Sequence, residues 1–276
     1  MTAPSKNLVS QIRDLLDRLV DCRRLDNDEQ EALHDQVAVE ARALPREGLM
    51  EALDKAIGSS QKRRREAVYI LSELSDVAEA VGRVGEWLKD PDPQVRSWLI
   101  QTVENSRLKQ YTPVLNDIIE GDPDASCRRL AIHAAGTLKA PENLPVLLRL
   151  AEQSEQALIG SLAWALKDYA TEECRQHLQR WFEDGTQSKS TRVISAWGMS
   201  KLGDSKALKY LAQTLFVSGV SLRAAQALCD VHGWPFEWHV SYVAKTAKLL
   251  KESRQPGPLL SRLKQTLLSL LRGNPN

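Results

Sequence analysis

The chain has little cysteine, methionine or phenylalanine and almost no net charge. Its 276 residues include four Cys, three Met and three Phe, and 37 Lys+Arg stand against 36 Asp+Glu. Cys22, Cys127, Cys174 and Cys229 are far apart and form no Cys-x-x-Cys pair, so a disulfide scaffold and a zinc-ribbon module are excluded. No run approaches the ~18 consecutive apolar residues of a transmembrane helix. The opening Met1-Thr2-Ala3-Pro4-Ser5-Lys6 has no apolar stretch of the signal-peptide kind. A soluble, cytoplasmic protein without a membrane segment is expected. Also missing are Gly-x-x-x-x-Gly-Lys-[Ser/Thr], Gly-x-Ser-x-Gly and His-Glu-x-x-His, the short motifs of phosphate loops, hydrolase elbows and zinc proteases.

The near-zero net charge hides an uneven distribution. Residues 1–60 hold 8 basic and 12 acidic side chains, 61–185 hold 16 and 20, and 186–276 hold 13 and 4. The balances are −4, −4 and +9, so the far end is basic. Such asymmetry bears on which partners are attracted, not on the fold.

What the chain has in abundance is repetition. Segments opening at Gln61, Pro93, Ala125, Gln156, Ser188 and Val220 each show an apolar helical stripe, a polar turn, a second stripe and an acidic or Gly-rich break. In the second stripe, apolar pairs four residues apart fall at Val84/Leu88, Leu115/Ile119, Leu147/Ala151, Leu178/Phe182 and Leu211/Leu215, at intervals of 31, 32, 31 and 33 residues. A pair at i, i+4 occupies one helix face, so the same face is buried in every unit. The breaks Asp90-Pro91-Asp92-Pro93 and Gly121-Asp122-Pro123-Asp124 combine Pro, which ends helices, with Asp, which caps them. A basic residue follows inside the next helix as Arg65, Arg96, Arg128, Arg192 and Arg223, whereas the fourth unit has Gly160 there.

The strings Asp92-x-x-Val95-Arg96 and Asp124-x-x-Cys127-Arg128 resemble the Asp-x-x-Val-Arg signature of HEAT repeats, particularly the short bacterial HEAT-like kind. The resemblance covers about 61–250 and implies an all-α fold, a right-handed α-solenoid of about six HEAT-like helical hairpins with atypical terminal caps. Domains are expected at 1–60 (N-terminal helical cap), 61–253 (repeat array) and 254–276 (C-terminal amphipathic helix cap). In the first, Leu8, Ile12, Leu15, Leu16 and Leu19 form one stripe, Leu33, Val37 and Ala41 another, and Leu49 and Leu53 a third. In the last, Leu259, Leu263, Leu267 and Leu270 follow a helical period.

HEAT arrays serve scaffolds, transport receptors and a few enzymes. Deoxyhypusine hydroxylase resembles this architecture but uses His-Glu pairs for iron, and no His here precedes Glu. The bilin lyases also use such arrays, and no residue here separates them from a scaffold. HEAT-like alkylpurine DNA glycosylases hold damaged DNA in a basic concave groove with Trp and an Asp; that Asp finds no matching position here. The seven Trp, three of them (Trp98, Trp164, Trp197) just beyond the Arg column, offer either core area or an aromatic clamp for an unstacked base. Lys62-Arg63-Arg64-Arg65 suits phosphates or an acidic partner, or else fills the Arg column with solvated neighbours. The stretch His232-Gly233-Trp234-Pro235-Phe236-Glu237-Trp238-His239 reads as an aromatic plug, an exposed partner-binding tip or, with Cys229, a metal site of unrecognised spacing.

The expected function is a non-catalytic, monomeric platform for a protein partner, without metal or cofactor: an adaptor, a scaffold or an immunity-type inhibitor. Nucleic-acid binding of the glycosylase-related kind is the alternative. HEAT-like arrays usually bind on a concave face lined by second helices. Two residues past the first member of each apolar pair lie Glu86, Asp117, Arg149, Arg180 and Gln213, an expected exposed column of partner-binding residues that runs from acidic to basic.

Overall fold

A computed structural model describes residues 5–22, 24–74, 77–153 and 155–254. The expected helix at 254–276 therefore falls, except for its first residue, outside the described residues. Among the described residues there are fifteen α-helices, two single 3-10 turns and no strand. The chain divides into two compact units, one through Leu147 and one from Leu148, so the division lies within a helix.

The first unit begins with α1 (Lys6–Cys22), α2 (Asn27–Arg42) and α3 (Leu49–Ile57). Leu8, Ile12, Leu15, Leu16 and Leu19 are all buried, as their spacing requires, and α1 packs against α2, α3 and α4 (Gln61–Glu73). Val37, Ala41, Leu49 and Leu53 are buried with them, while Leu33 is half-buried. Two bidentate pairs tie α1 to its neighbours. Arg18 donates to Glu40 at 2.9 Å, and Arg63 donates to both oxygens of Asp17 at 2.6 and 2.8 Å.

After α4 come α5 (Ala78–Trp87), α6 (Pro93–Asn105), α7 (Thr112–Gly121), α8 (Ala125–Leu138) and α9 (Leu144–Gln153). The second unit continues with α10 (Ile159–Tyr169), α11 (Glu172–Glu183), α12 (Lys189–Lys201), α13 (Ser205–Thr214), α14 (Ser221–His232) and α15 (Ser241–Arg254). The helices α4, α6, α8, α12 and α14 start at or one residue past the positions that the repeat marks. Helix α10 starts three residues late. Its N-cap, Leu158, makes no side-chain hydrogen bond, whereas Ser60, Asp92, Asp124 and Ser188 each accept a backbone N–H at the head of theirs. A missing cap does not by itself delay a helix, since Val220 at the head of α14 also makes no side-chain hydrogen bond.

All five apolar pairs of the second helices are buried. The Arg column is structural in four places. Arg65 donates to Asp92 at 2.7 Å; Arg96 donates to both oxygens of Asp122 at 2.8 and 2.7 Å and to the carbonyl of Asp90 at 2.7 Å. Arg128 and Arg192 donate to the carbonyls of Ile119 and Phe182, both at 3.1 Å. Arg128 and Arg192 thereby clamp the end of the preceding helix, whose last carbonyls lack intrahelical donors, whereas Arg65 and Arg96 reach carboxylates of the Asp-Pro breaks ahead of the next repeat. The basic run is explained the same way: Arg63 binds Asp17, Arg64 binds Asp90 and Arg65 binds Asp92, so three of its four charges are committed within the fold.

Which helices pack on one another departs from the sequence expectation. In the second unit α10 lies directly on α12 and α12 on α14; in the first, α4 lies on α6 and α6 on α8. The successive second helices α5 and α7, or α11 and α13, are not among the closely packed pairs. The Arg-bearing helices thus form the closer-set row within each unit, and the second helices, expected to line the inner face, form the wider-set one. Small side chains decide this: Ala131, Ala134 and Ala135 on α8, and Ser195, Ala196 and Gly198 on α12, are buried and let these helices approach.

Candidate aromatic and cationic site

The first-helix row of the second unit carries a connected set of aromatic and charged side chains. Lys167, near the end of α10, is 2% exposed, and its Nζ lies 3.8 Å from the ring centre of Trp164 and 4.4 Å from that of Trp197. The two indoles meet edge to face at 5.9 Å. Burial lowers the affinity of Lys167 for its proton, and Asp168, 2.7 Å away, partly restores it. On the far side of Trp197, Asp230 of α14 accepts the indole Nε1–H at 2.7 Å and lies 3.0 Å from Lys201 Nζ. Burial alone would raise the Asp230 carboxyl, but the bonds from Lys201 and Trp197 outweigh it and hold it below the ordinary range.

Close helix approach creates this arrangement. A Cβ on Gly198 would come within 3.1 Å of the Cα of Lys167 and 2.7 Å of Leu178 Cδ1. A larger residue would push Leu178 and Lys167 aside, and the absence of a side chain lets α12 seat Trp197 beside Lys167. The slot that an aromatic clamp would need between Trp164 and Trp197 is therefore filled by the chain's own ammonium group.

Arg223, the last member of the Arg column, behaves unlike the others. Its guanidinium carbon lies 4.9 Å from the ring centre of Trp164 and 5.7 Å from that of Trp238. Among the described residues it makes no hydrogen bond or ion pair, and burial alone pushes its pKa below the ordinary arginine value. Trp164 belongs to α10 and Arg223 to α14, so the contact spans the intervening α12. In the loop after α14, Trp234 stacks on His232 with ring centres 4.4 Å apart, Phe236 meets the buried Tyr242 at 5.5 Å, and Trp238 is 58% exposed. Among the described residues no group of three or more His, Cys, Asp or Glu is placed to hold a metal ion.

The other tryptophans divide by environment. Trp87 and Trp181 are buried, the latter 2% exposed, and serve as core. Trp98 lines a groove of about 480 Å³ in the first unit with His34, Glu66, Tyr69, Glu73 and Gln101. Helical spacing identified the Trp positions in the sequence. It could not separate a core Trp from a groove Trp, because both sit on inward-facing turns.

The second-helix column is exposed throughout: Glu86 on α5, Asp117 on α7, Arg149 on α9, Arg180 on α11 and Gln213 on α13. Glu86 forms an ion pair with Arg83 at 2.7 Å, and Arg180 donates to the carbonyl of Ala151 at 2.7 Å. Arg180 also lines an open surface hollow on α11 with Glu172, Arg175, Gln176, Gln179 and Glu183.

Comparison with known families agrees with this geometry. The HEAT repeats family matches residues 46–134, 81–167 and 112–190, which together cover more than half of the chain. The chain belongs to the HEAT-repeat family. The matches overlap one another, and each spans several consecutive helices of the array. The first match also takes in α3, which the sequence reading assigns to the N-terminal cap. No curated protein matches the chain.

Proposed function

We propose that this protein is a non-catalytic platform that binds another protein through its second-helix column, as an adaptor, a scaffold or an inhibitor that wraps its target. The observation that carries the proposal is the exposure of Glu86, Asp117, Arg149, Arg180 and Gln213 at equivalent positions of five repeats whose flanking apolar pairs are all buried. A surface that repeats while contributing nothing to the core is free to be specified by a partner. Acidic positions fall in the first unit and basic ones in the second, which suits a partner of opposite polarity along its length. General family membership agrees, since HEAT repeats are commonly interaction scaffolds. No helix among the described residues is long and apolar enough to cross a membrane.

The test is a pull-down from nuclease-treated lysate, identification of the retained protein, and titration of that protein against Arg149→Glu/Arg180→Glu. Affinity falls by more than roughly tenfold if two central charges of the interface are reversed. Unchanged affinity in a stably folded double variant removes the column from the interface.

A further inference from the structure

Four arginines of the repeated column end on an oxygen, and the fifth ends on none. Arg65 and Arg96 reach carboxylates, and Arg128 and Arg192 reach helix-terminal carbonyls. Arg223 lies over the rings of Trp164 and Trp238, and among the described residues its N–H donors have no acceptor. The nearby carboxylates are otherwise occupied: Asp230 holds Trp197 and Lys201, and Asp168 holds Lys167. Indole faces stack well on a guanidinium but accept no in-plane hydrogen bond, so the edge of the fork is left for an oxyanion.

The surroundings indicate the kind of partner. Of the large apolar side chains that lie exposed, Phe216 (75%), Trp238 (58%) and Val240 (70%) all fall between the end of α13 and the start of α15. Residues 186–254 hold ten basic and four acidic side chains. Residues 255–276 contain no Asp or Glu, so that segment has no side-chain carboxylate to offer. Arg and Trp together are the residue types on which interface energy concentrates.

We propose that Arg223, flanked by Trp164 and Trp238, is a docking point for a carboxylate side chain in an acidic peptide segment of a protein partner, with an apolar neighbour of that carboxylate resting on Trp238. The guanidinium is already oriented by the two indoles and partly stripped of water, so little ordering cost remains when a carboxylate makes its paired hydrogen bonds. The site lies on the Arg-bearing helices and is separate from the second-helix column.

The experiment uses the full chain and a fluorescein-labelled decapeptide alternating glutamate with leucine, its glutamine counterpart, and a labelled decathymidylate, all followed by fluorescence anisotropy. The glutamate peptide is expected to bind roughly tenfold or more tighter than the glutamine peptide. Arg223→Met should abolish that preference, and Arg223→Lys should restore only part of it, because an ammonium carries the charge without the planar fork. Trp238→Ala, at an exposed loop position, should weaken the glutamate peptide without altering thermal stability, which keeps the test decisive if Arg223→Met folds poorly. Equal binding of the two peptides, or indifference to both Arg223→Met and Trp238→Ala, overturns the proposal. So does Arg223-dependent binding of the decathymidylate alone, which would reassign the site to nucleic acid. Arg149→Glu/Arg180→Glu should leave peptide binding unchanged, so this site and the second-helix column fail or stand separately.

Discussion

Gly198 and Lys167 approach so closely that a methyl group on the glycine would stand 3.1 Å from both the Cα and the Cβ of the lysine. Helix α12 carries the glycine and α10 the lysine, and their contact brings Trp197 over the buried ammonium. The packing of two repeats and the seating of one charge therefore depend on the same missing side chain.

Gly198→Ala tests that dependence. In an open helix such a change stabilises by about 1 kcal/mol, and Gly82 on α5, with nothing within 4 Å of its would-be Cβ, is the matching control. At Gly198 overpacking should outweigh the gain and leave a net loss of roughly 1–2 kcal/mol. Urea denaturation of both variants checks the opposite signs. A Gly198→Ala protein as stable as Gly82→Ala would mean that the two helices slide apart freely.

Asp92 should govern part of the acid response. Its carboxyl is held below the usual range chiefly by the hydrogen bond from Arg65, against a burial cost, with help from the backbone of Gln94 and from Gln61. A carboxylate with a depressed folded pKa stabilises above its unfolded value of about 3.9 and loses that contribution as pH falls through the folded value. Stability should thus decline below about pH 4. Asp92→Asn, which keeps a capping oxygen, should flatten that decline and cost about 1–2 kcal/mol at neutral pH. Melting temperatures across pH 2.5–7 for the two proteins provide the comparison, with the window set by roughly a unit or more either side of the carboxylate range.

The four thiols should be silent in the native protein. All are buried, and burial, with Asp122 nearby, pushes Cys127 up to about 12. Since the thiolate is the reactive form, an aromatic disulfide reagent at neutral pH should label none until denaturant is added, and then all four. Rapid labelling under native conditions would show that a repeat opens locally.

Any association with DNA should be weak, indifferent to sequence and to alkylated bases, and lost steeply as salt rises, because counterion release would supply nearly all of its free energy. The filled space between Trp164 and Trp197 leaves no slot there for an extruded base. Incubation with an oligonucleotide carrying one alkylated purine, followed by abasic-site cleavage, is the check. Turnover above a heat-killed control would replace the platform reading with a base-excision one.

Local chemistry in the sequence determined the helices, their starts and the buried pairs. Asp92 and Asp124 accept N–H groups of the next turn wherever the chain runs, and an i, i+4 apolar pair such as Leu178/Phe182 shares a helix face by geometry alone. The exposed column from Glu86 to Gln213 was legible for the same reason, being set by rotation about a single helix axis. Which row of helices packs closely was not, because a periodic string has the same period whichever helix is counted first; only the packing of α10 on α12 and α12 on α14 shows which row is drawn together. Nor could spacing show that Arg65 and Arg223, which occupy equivalent positions, differ in their partners. Arg65 meets Asp92 from the break ahead of the next repeat, whereas Arg223 meets Trp164 from α10, two first helices earlier, and Trp238 from a loop fifteen residues later. Those contacts exist only once the repeats stack, since they join side chains that no local rule of helix geometry relates.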